Sequence, residues 1–155
     1  MVSSKIVVLM GSKSDVSFAH KVEEFLKQEN MNVVCEFVVS SAHRTPDILL
    51  QKLKEYEKSS DNIVFITIAG LSDALSGLVA GFTARPVIAC PPDIEKYGPL
   101  KAFSSVMMPT GVPVMLVSKP ENAALAAVKI LAIGNPSLNH EIEKYTQKKR
   151  NEIVT

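Results

Sequence analysis

Residues 33–47 read VVCEFVVSSAHRTPD, an apolar run of strand character that passes directly into a polar loop. The loop, Ser40 to Asp47, carries small hydroxyl side chains, one imidazole and one guanidinium. Thr45-Pro46 favours a helix start, because Thr can cap free amides and Pro suits the first helical position. A strand, a chemically equipped loop and a helix in this order are typical of an α/β protein.

The same unit recurs along the chain. Apolar runs that predict buried parallel strands alternate with stretches of helical period. The strands are predicted at 6–10, 33–39, 63–68, 87–90 and 114–117, and the helices at about 15–28, 46–56, 74–82 and 121–133. Five alternations with short connections predict an α/β fold with a central parallel sheet of about five strands and helices on both faces.

The chain is expected to form one domain over residues 1–155, since a chain of this size builds a single core. Residues 137–154 have helical period through Leu138, Ile142 and Tyr145, but they are polar and follow the last predicted strand. We expect them to form an additional C-terminal helix that packs on a neighbouring subunit.

Composition excludes several classes of protein. With 17 basic and 16 acidic side chains the net charge is +1, which gives no general attraction for nucleic acid or an anionic membrane. The apolar run at residues 6–10 is too short for a signal peptide or a membrane span. Cys35 and Cys90 lie in apolar runs, which indicates reduced, buried thiols and a cytoplasmic protein.

Three loops follow the first three predicted strands and should meet at one edge of the sheet. The first, Gly11 to Asp15, lacks the glycine spacing of a Walker or dinucleotide loop, but its small residues before a helix can present amides and hydroxyls to a phosphate. Asp15 suits ribose hydroxyls better than a phosphate. The alternative is that Ser14 or Asp15 only caps the helix.

The second loop combines an anion-binding group with a proton carrier. Arg44 can form paired hydrogen bonds with a phosphate or carboxylate, and His43 carries an imidazole, the side-chain group best suited to carry a proton near neutral pH. The alternative is a hydrogen-bonded loop histidine beside a solvated arginine. His20 and His140 lie in polar helical segments without a visible partner and are interpreted as solvated.

Neither a nucleophilic nor a metal site is predicted. Cys90 has no basic neighbour in sequence, and a buried cysteine is usually inert. No cluster of His, Cys, Asp and Glu has the spacing of metal ligands. We therefore expect chemistry without a cofactor.

Three motifs together resemble the PurE family of phosphoribosylaminoimidazole carboxylases and mutases: 11–15, 41–46 and Ala89-Cys90-Pro91-Pro92. The resemblance runs from Lys5 to about Ile133. It implies a three-layer flavodoxin-like domain, a homo-octamer whose sites are built from several subunits, and a role in purine biosynthesis.

The family divides into two reactions. Class I moves a carboxyl group of N5-carboxyaminoimidazole ribonucleotide from nitrogen to ring carbon four, and class II adds CO2 to aminoimidazole ribonucleotide directly. The third loop, residues 69–77, lacks the histidine of the class I loop and looks like class II, although Leu71 and Asp73 replace the usual Arg and Asn. Arg44-Thr45-Pro46-Asp47 has the class I form. On balance the resemblance favours direct carboxylation, with the mutase as the alternative.

The resemblance also implies residue roles. His43 would be the catalytic acid/base, and the remaining positions would bind the substrate. Ser12 and Asp15 would contact the ribonucleotide, with Ser14 in the same loop. Ser41 and Arg44 would hold the phosphate end, with Ala42 beside them. Gly70 and Ser72 would line the pocket for CO2 and the imidazole ring of the substrate.

The rival from another class is a non-catalytic flavodoxin-like module. A response-regulator receiver needs an acidic cluster after strand one and an aspartate at the end of strand three, where this chain has Gly11-Ser12 and Ala69-Gly70. A sensor that binds a ribonucleotide without turnover is compatible with the sequence.

Overall fold

The computed structural model describes residues 3–154 and consists of one parallel sheet between two layers of helices. The strand order is β2-β1-β3-β4-β5, and every neighbouring pair is parallel. This is the flavodoxin-like order, and it confirms the predicted α/β class. The elements are β1 Ser4–Met10, a 3₁₀ turn Lys13–Asp15, α1 Val16–Gln28, β2 Val34–Val39, α2 Pro46–Glu57, β3 Asn62–Ile68, α3 Ala74–Phe82, β4 Val87–Ala89, α4 Ile94–Tyr97, α5 Pro99–Val106, β5 Met115–Leu116, α6 Pro120–Ala132 and α7 Pro136–Val154.

Strand β1 lies at the centre of the core because alternate side chains of its apolar run point to opposite faces of the sheet. Ile6, Val8 and Met10 pack with α1 and α6, whereas Val7 and Leu9 pack with α2 and α3. All five side chains are essentially inaccessible to solvent. The continuous apolar run therefore predicts correctly a strand that is covered on both faces.

The ladder of backbone hydrogen bonds continues just past the strands and holds the loops side by side. The Gly11 amide donates to the Ile68 carbonyl at 2.9 Å, and the Ser40 amide donates to the Met10 carbonyl at 2.9 Å. The three loops thus start from adjacent points on the carboxyl edge of the sheet, where ligands bind in folds of this kind.

Two predicted helix caps are wrong. Thr45 precedes α2 but makes no side-chain capping bond, because its Oγ1 instead accepts a hydrogen bond from the Ser41 amide at 3.0 Å. The spacing of Ser118 and Glu121 predicts a capping box before α6, but the helix begins after Lys119, which places this pair one residue out of register. In both helices Pro occupies the first position, and it is sufficient to mark the start.

The C-terminal helix α7 packs on α1 and α6 of its own chain. Leu138 is fully buried, the Tyr145 ring meets Phe25 edge-on with centroids 5.5 Å apart, and Lys148 Nζ lies 2.8 Å from a Glu29 oxygen. Its last residues are exposed, Ile153 at 87%. Contact of this helix with a neighbouring subunit stays a prediction.

Candidate active site

A cleft of about 360 Å³ opens where the three loops meet. It contains eight of the nine predicted site residues. The lining residues are Gly11, Ser12, Ser14, Asp15, Ser41, Ala42, His43, Arg44, Ala69, Gly70, Leu71 and Leu75. The ninth, Ser72, lines a second, more apolar cavity of about 300 Å³ together with Leu71, Tyr97, Leu100, Lys101 and Ser104. Leu71 lines both, so the third loop forms the wall between them.

In the first loop the buried Asp15 lines the cleft and does not cap a helix. Ser12, not Asp15, caps the 3₁₀ turn: its Oγ accepts from the Ser14 amide at 3.3 Å and from the Ser14 hydroxyl at 3.0 Å. Asp15 makes no side-chain capping bond to α1, which removes the capping alternative for this residue. Burial raises the pKa of Asp15, with the nearby Asp93 acting in the same direction and the Ser12 backbone and Lys101 against it.

The second loop is held by its own backbone and hydroxyl groups. The Thr45 amide donates to the Ser41 carbonyl at 2.9 Å, and the Arg44 amide donates to the Ser41 hydroxyl at 3.2 Å. The side chains of His43 and Arg44 are exposed, and within residues 3–154 neither has a hydrogen-bond or ion-pair partner. An imidazole and a guanidinium thus stand at the cleft with their polar atoms free for a substrate.

The third loop is fixed by a buried polar network on Asp73, which caps α3. One carboxylate oxygen accepts from the Ser76 amide at 2.9 Å, and the other accepts from the hydroxyls of Ser76 and Ser105, both at 2.7 Å. The Ser76 hydroxyl also lies 2.7 Å from Thr67 Oγ1 on β3, and the Asp73 amide donates to Ser104 at 2.8 Å. This network joins the end of β3 to helices α3 and α5.

Asp93 and Lys101 are functional candidates that the sequence analysis missed. Asp93 Oδ2 accepts from the Leu71 amide at 2.7 Å, and Lys101 Nζ donates to the Leu71 carbonyl at 2.7 Å. The only signal in the sequence is the spacing of the polar Lys101 and Ser105, four residues apart. The structure buries both, while the apolar Leu100 and Phe103 are 76% and 54% exposed. Polar residues four apart that face inward indicate a helix packed on a polar site.

The other candidate groups lie outside the cleft. Cys90 is fully buried, and burial raises its pKa to about 12, so it is not a thiolate at neutral pH. Cys35 is only partly buried, but burial also raises its pKa to about 12. His20, interpreted as without a partner, in fact packs against Phe37 with the ring planes tilted by 39° and the centroids 4.8 Å apart, and it lies 3.9 Å from Glu23. His140 lines a separate groove between the end of α1 and α7.

Two features of the described residues bear on other classes of function. Within residues 3–154, no group of three or more His, Cys, Asp or Glu side chains is arranged to hold a metal ion. Over the same range, no helix combines the length and apolarity needed to cross a membrane. The cleft can thus offer hydroxyl groups, backbone amides, a buried carboxyl, a guanidinium and one imidazole. These groups suit a phosphorylated, hydroxyl-bearing ligand and a proton transfer.

Comparison with known proteins assigns the family. The sequence profile of the AIR carboxylase family matches residues 5–152. A phosphoribosylaminoimidazole carboxylase of Archaeoglobus fulgidus is 44% identical over 149 residues, which are 96% of this chain and 81% of that protein. An N5-carboxyaminoimidazole ribonucleotide mutase of Methanocaldococcus jannaschii is 40% identical over 150 residues, which are 96% of this chain and 92% of that protein.

A solved structure gives the same answer for the fold. The crystal structure of Treponema denticola PurE superimposes with a TM-score of 0.91 at 35% sequence identity, over 97% of this chain and 94% of that one. With sequence and fold in agreement over nearly its whole length, the chain belongs to the AIR carboxylase family.

Proposed function

We propose that this protein carboxylates 5-aminoimidazole ribonucleotide at C4 with CO2, giving 4-carboxy-5-aminoimidazole ribonucleotide in de novo purine biosynthesis. The observation that carries the proposal is a cleft with one imidazole, His43, and a third loop that supplies Leu71 but no second histidine. A single proton carrier is sufficient for direct carboxylation.

The chemistry follows from the substrate. C4 of an aminoimidazole has enamine character, so its electron pair attacks the carbon of CO2 and a C–C bond forms. The ring carbon is then tetrahedral and still carries its hydrogen. His43 takes that proton, the C–H electron pair returns to the ring, and aromaticity is restored. In the reverse direction the protonated imidazole returns the proton before CO2 leaves. General acid/base catalysis of this kind contributes about 10²–10⁴-fold in rate.

The other cleft residues would bind and orient the ribonucleotide. Arg44 and the Ser41 hydroxyl would hold the phosphate, since guanidinium forms paired hydrogen bonds to phosphate oxygens. Ser12 and Ser14 would add hydroxyl contacts, and the Asp15 carboxyl would accept from ribose hydroxyls. Gly70 would leave space for the imidazole, with Ala42 beside it. Ser72, which opens on the neighbouring cavity, would contact the substrate only if the third loop shifts.

The mutase reaction is the second candidate, and two observations favour it. The relatives of Methanocaldococcus jannaschii and Saccharolobus solfataricus, the latter 39% identical over 154 residues, are named N5-carboxyaminoimidazole ribonucleotide mutases. Arg44-Thr45-Pro46-Asp47 also has the class I form. In that reaction protonated His43 would give its proton to the substrate nitrogen as the N–C bond breaks and CO2 is released inside the cleft. C4 would then capture the CO2, and His43 would take the proton that C4 loses.

We further propose a cytoplasmic homo-octamer. On the third loop and α5, Leu71, Leu100, Phe103 and Met107 are between 54% and 76% exposed, and this exposed apolar surface supports contact with another subunit. The number eight rests on the family resemblance alone. Free thiols at Cys35 and Cys90 agree with a reducing compartment.

The test of the proposal is a paired assay with purified protein. Isothermal calorimetry measures binding of aminoimidazole ribonucleotide, and chromatography measures carboxylated product after addition of bicarbonate, which supplies CO2. Binding together with product supports the enzyme. Binding without product from either this substrate or its N-carboxylated form would replace the proposal with a ribonucleotide sensor.

A further inference from the structure

The backbone of Leu71 adopts an unusual conformation in the wall of the cleft. Its φ is +56°, in the left-handed region that leucine rarely occupies because its Cβ crowds the backbone there. The side chain is 68% exposed, so core packing does not impose this conformation. Another interaction must stabilise the turn.

Two side chains from outside the loop hold both polar groups of this residue. Asp93, which follows β4, accepts from the Leu71 amide at 2.7 Å, and Lys101, on α5, donates to the Leu71 carbonyl at 2.7 Å. Gly70 allows the close approach, since a Cβ at that position would lie 3.3 Å from Asp93 Oδ2. The peptide groups on either side of the Leu71 Cα are therefore fixed in orientation.

The contacts that hold Leu71 include a buried charged pair, and removing two charges from water costs free energy that a neutral contact does not. The Lys101 side chain is 1% exposed, and its Nζ lies 3.9 Å from Asp93 Oδ1. That oxygen is itself buried and has no hydrogen-bond partner among the described residues. A buried ion pair with incomplete hydrogen bonding contributes little to stability. The loop that the pair holds lines both cavities through Leu71, which points to a functional use of the pair.

We propose that Asp93 and Lys101 are positioning residues that hold the Gly70–Leu71 segment in the geometry required at the carboxylation site. They lie on the side of the third loop away from the main cleft, and they act through its backbone. The inference rests on the proposed function. The same pair acts electrostatically on Asp15 at the cleft floor, Asp93 raising its pKa and Lys101 lowering it, both less strongly than burial does.

The test compares Asp93→Ala with Asp93→Asn and Lys101→Met. Asp93→Ala removes the acceptor of the Leu71 amide, whereas Asp93→Asn retains an oxygen that can accept it. We expect kcat to fall about 10- to 100-fold in Asp93→Ala and Lys101→Met, because displacement of a reacting site by about 1 Å has effects of that size. The loss in Asp93→Asn should be smaller. Calorimetric affinity for the ribonucleotide should stay near that of the unmodified protein in all three.

A rescue experiment separates positioning from general stability. Glycine adopts positive φ without strain, so Leu71→Gly should raise kcat when added to Asp93→Ala, with the Leu71→Gly single variant as reference. If Asp93→Ala does not fold, Lys101→Met with and without Leu71→Gly gives the same comparison.

A readout independent of turnover is the hydrogen-exchange rate of the Leu71 amide, which should rise in Asp93→Ala. Unchanged kcat and unchanged exchange would overturn the inference, as would a loss of kcat in folded protein that Leu71→Gly does not relieve. If the unmodified protein forms no carboxylated product, the proposed function fails instead, and the exchange rate still reports on the loop.

Discussion

Replacing Asp73 by alanine should destabilise the protein strongly while replacing it by asparagine should not. The Asp73 carboxylate caps α3 and accepts from two buried hydroxyls, those of Ser76 and Ser105. Loss of a helix cap costs about 1 kcal/mol, and each buried hydroxyl left without a partner costs about 1–3 kcal/mol. The Ser76 hydroxyl keeps Thr67 as a neighbour at 2.7 Å, so the lower end of that range applies to it. Asp73→Ala should therefore lower the free energy of unfolding by about 3–5 kcal/mol.

Asp73→Asn keeps an oxygen for the cap, and the two hydroxyls can rotate to accept from its amide group. Its cost should be about 1 kcal/mol, similar to that of the control Ser105→Ala, which removes a single hydrogen bond. Urea unfolding followed by far-ultraviolet circular dichroism is the assay, because the chain has no Trp. All variants are measured at one protein concentration, since subunit association adds to apparent stability. Equal destabilisation by Asp73→Ala and Asp73→Asn would refute this account of the network.

Three further predictions concern the cleft and the surface. His43→Asn should lower kcat about 10²–10⁴-fold with unchanged circular dichroism and ribonucleotide affinity; a rate near that of the unmodified protein would remove His43 from the mechanism. Burial raises the pKa of Asp15 above its ordinary 3.8, so the stability that its protonated form contributes is lost as pH rises through the raised pKa. Asp15→Asn should thus raise the melting temperature at pH 7, with a difference that shrinks toward pH 3.8, and weaken ribonucleotide binding; a lower melting temperature at pH 7 would contradict this. Leu100→Asp should reduce the mass measured by light scattering, whereas an unmodified protein that already has the mass of a monomer would exclude the octamer.

The sheet and its loops could be predicted because they follow from local patterns. Continuous apolar runs identify strands buried on both faces, and Pro46 and Pro120 mark helix starts even though the predicted caps do not form. The first two loops lie directly after such strands. Their residues therefore meet at the carboxyl edge of the sheet, where the parallel strands end. For this reason His43 and Asp15 were found from sequence and share one cleft.

The support behind the third loop could not be predicted in the same way. Asp93 and Lys101 contact Leu71 from positions 22 and 30 residues further along the chain, and no local period connects them. The left-handed backbone of Leu71 could not be predicted either, because the position carries neither glycine nor asparagine, the residues that usually adopt this conformation. The resemblance places Ser72 in the substrate pocket, but in the structure Ser72 lines the neighbouring cavity.

The most direct test of the proposed reaction supplies the purified protein with aminoimidazole ribonucleotide and ¹³C-bicarbonate, and in parallel with N5-carboxyaminoimidazole ribonucleotide. Product is followed by mass spectrometry. Direct carboxylation predicts rapid formation of C4-carboxylated product that carries the label, and its loss in His43→Asn. Unlabelled product from the N-carboxylated substrate, with no turnover of aminoimidazole ribonucleotide and bicarbonate, would contradict the proposal and establish the mutase.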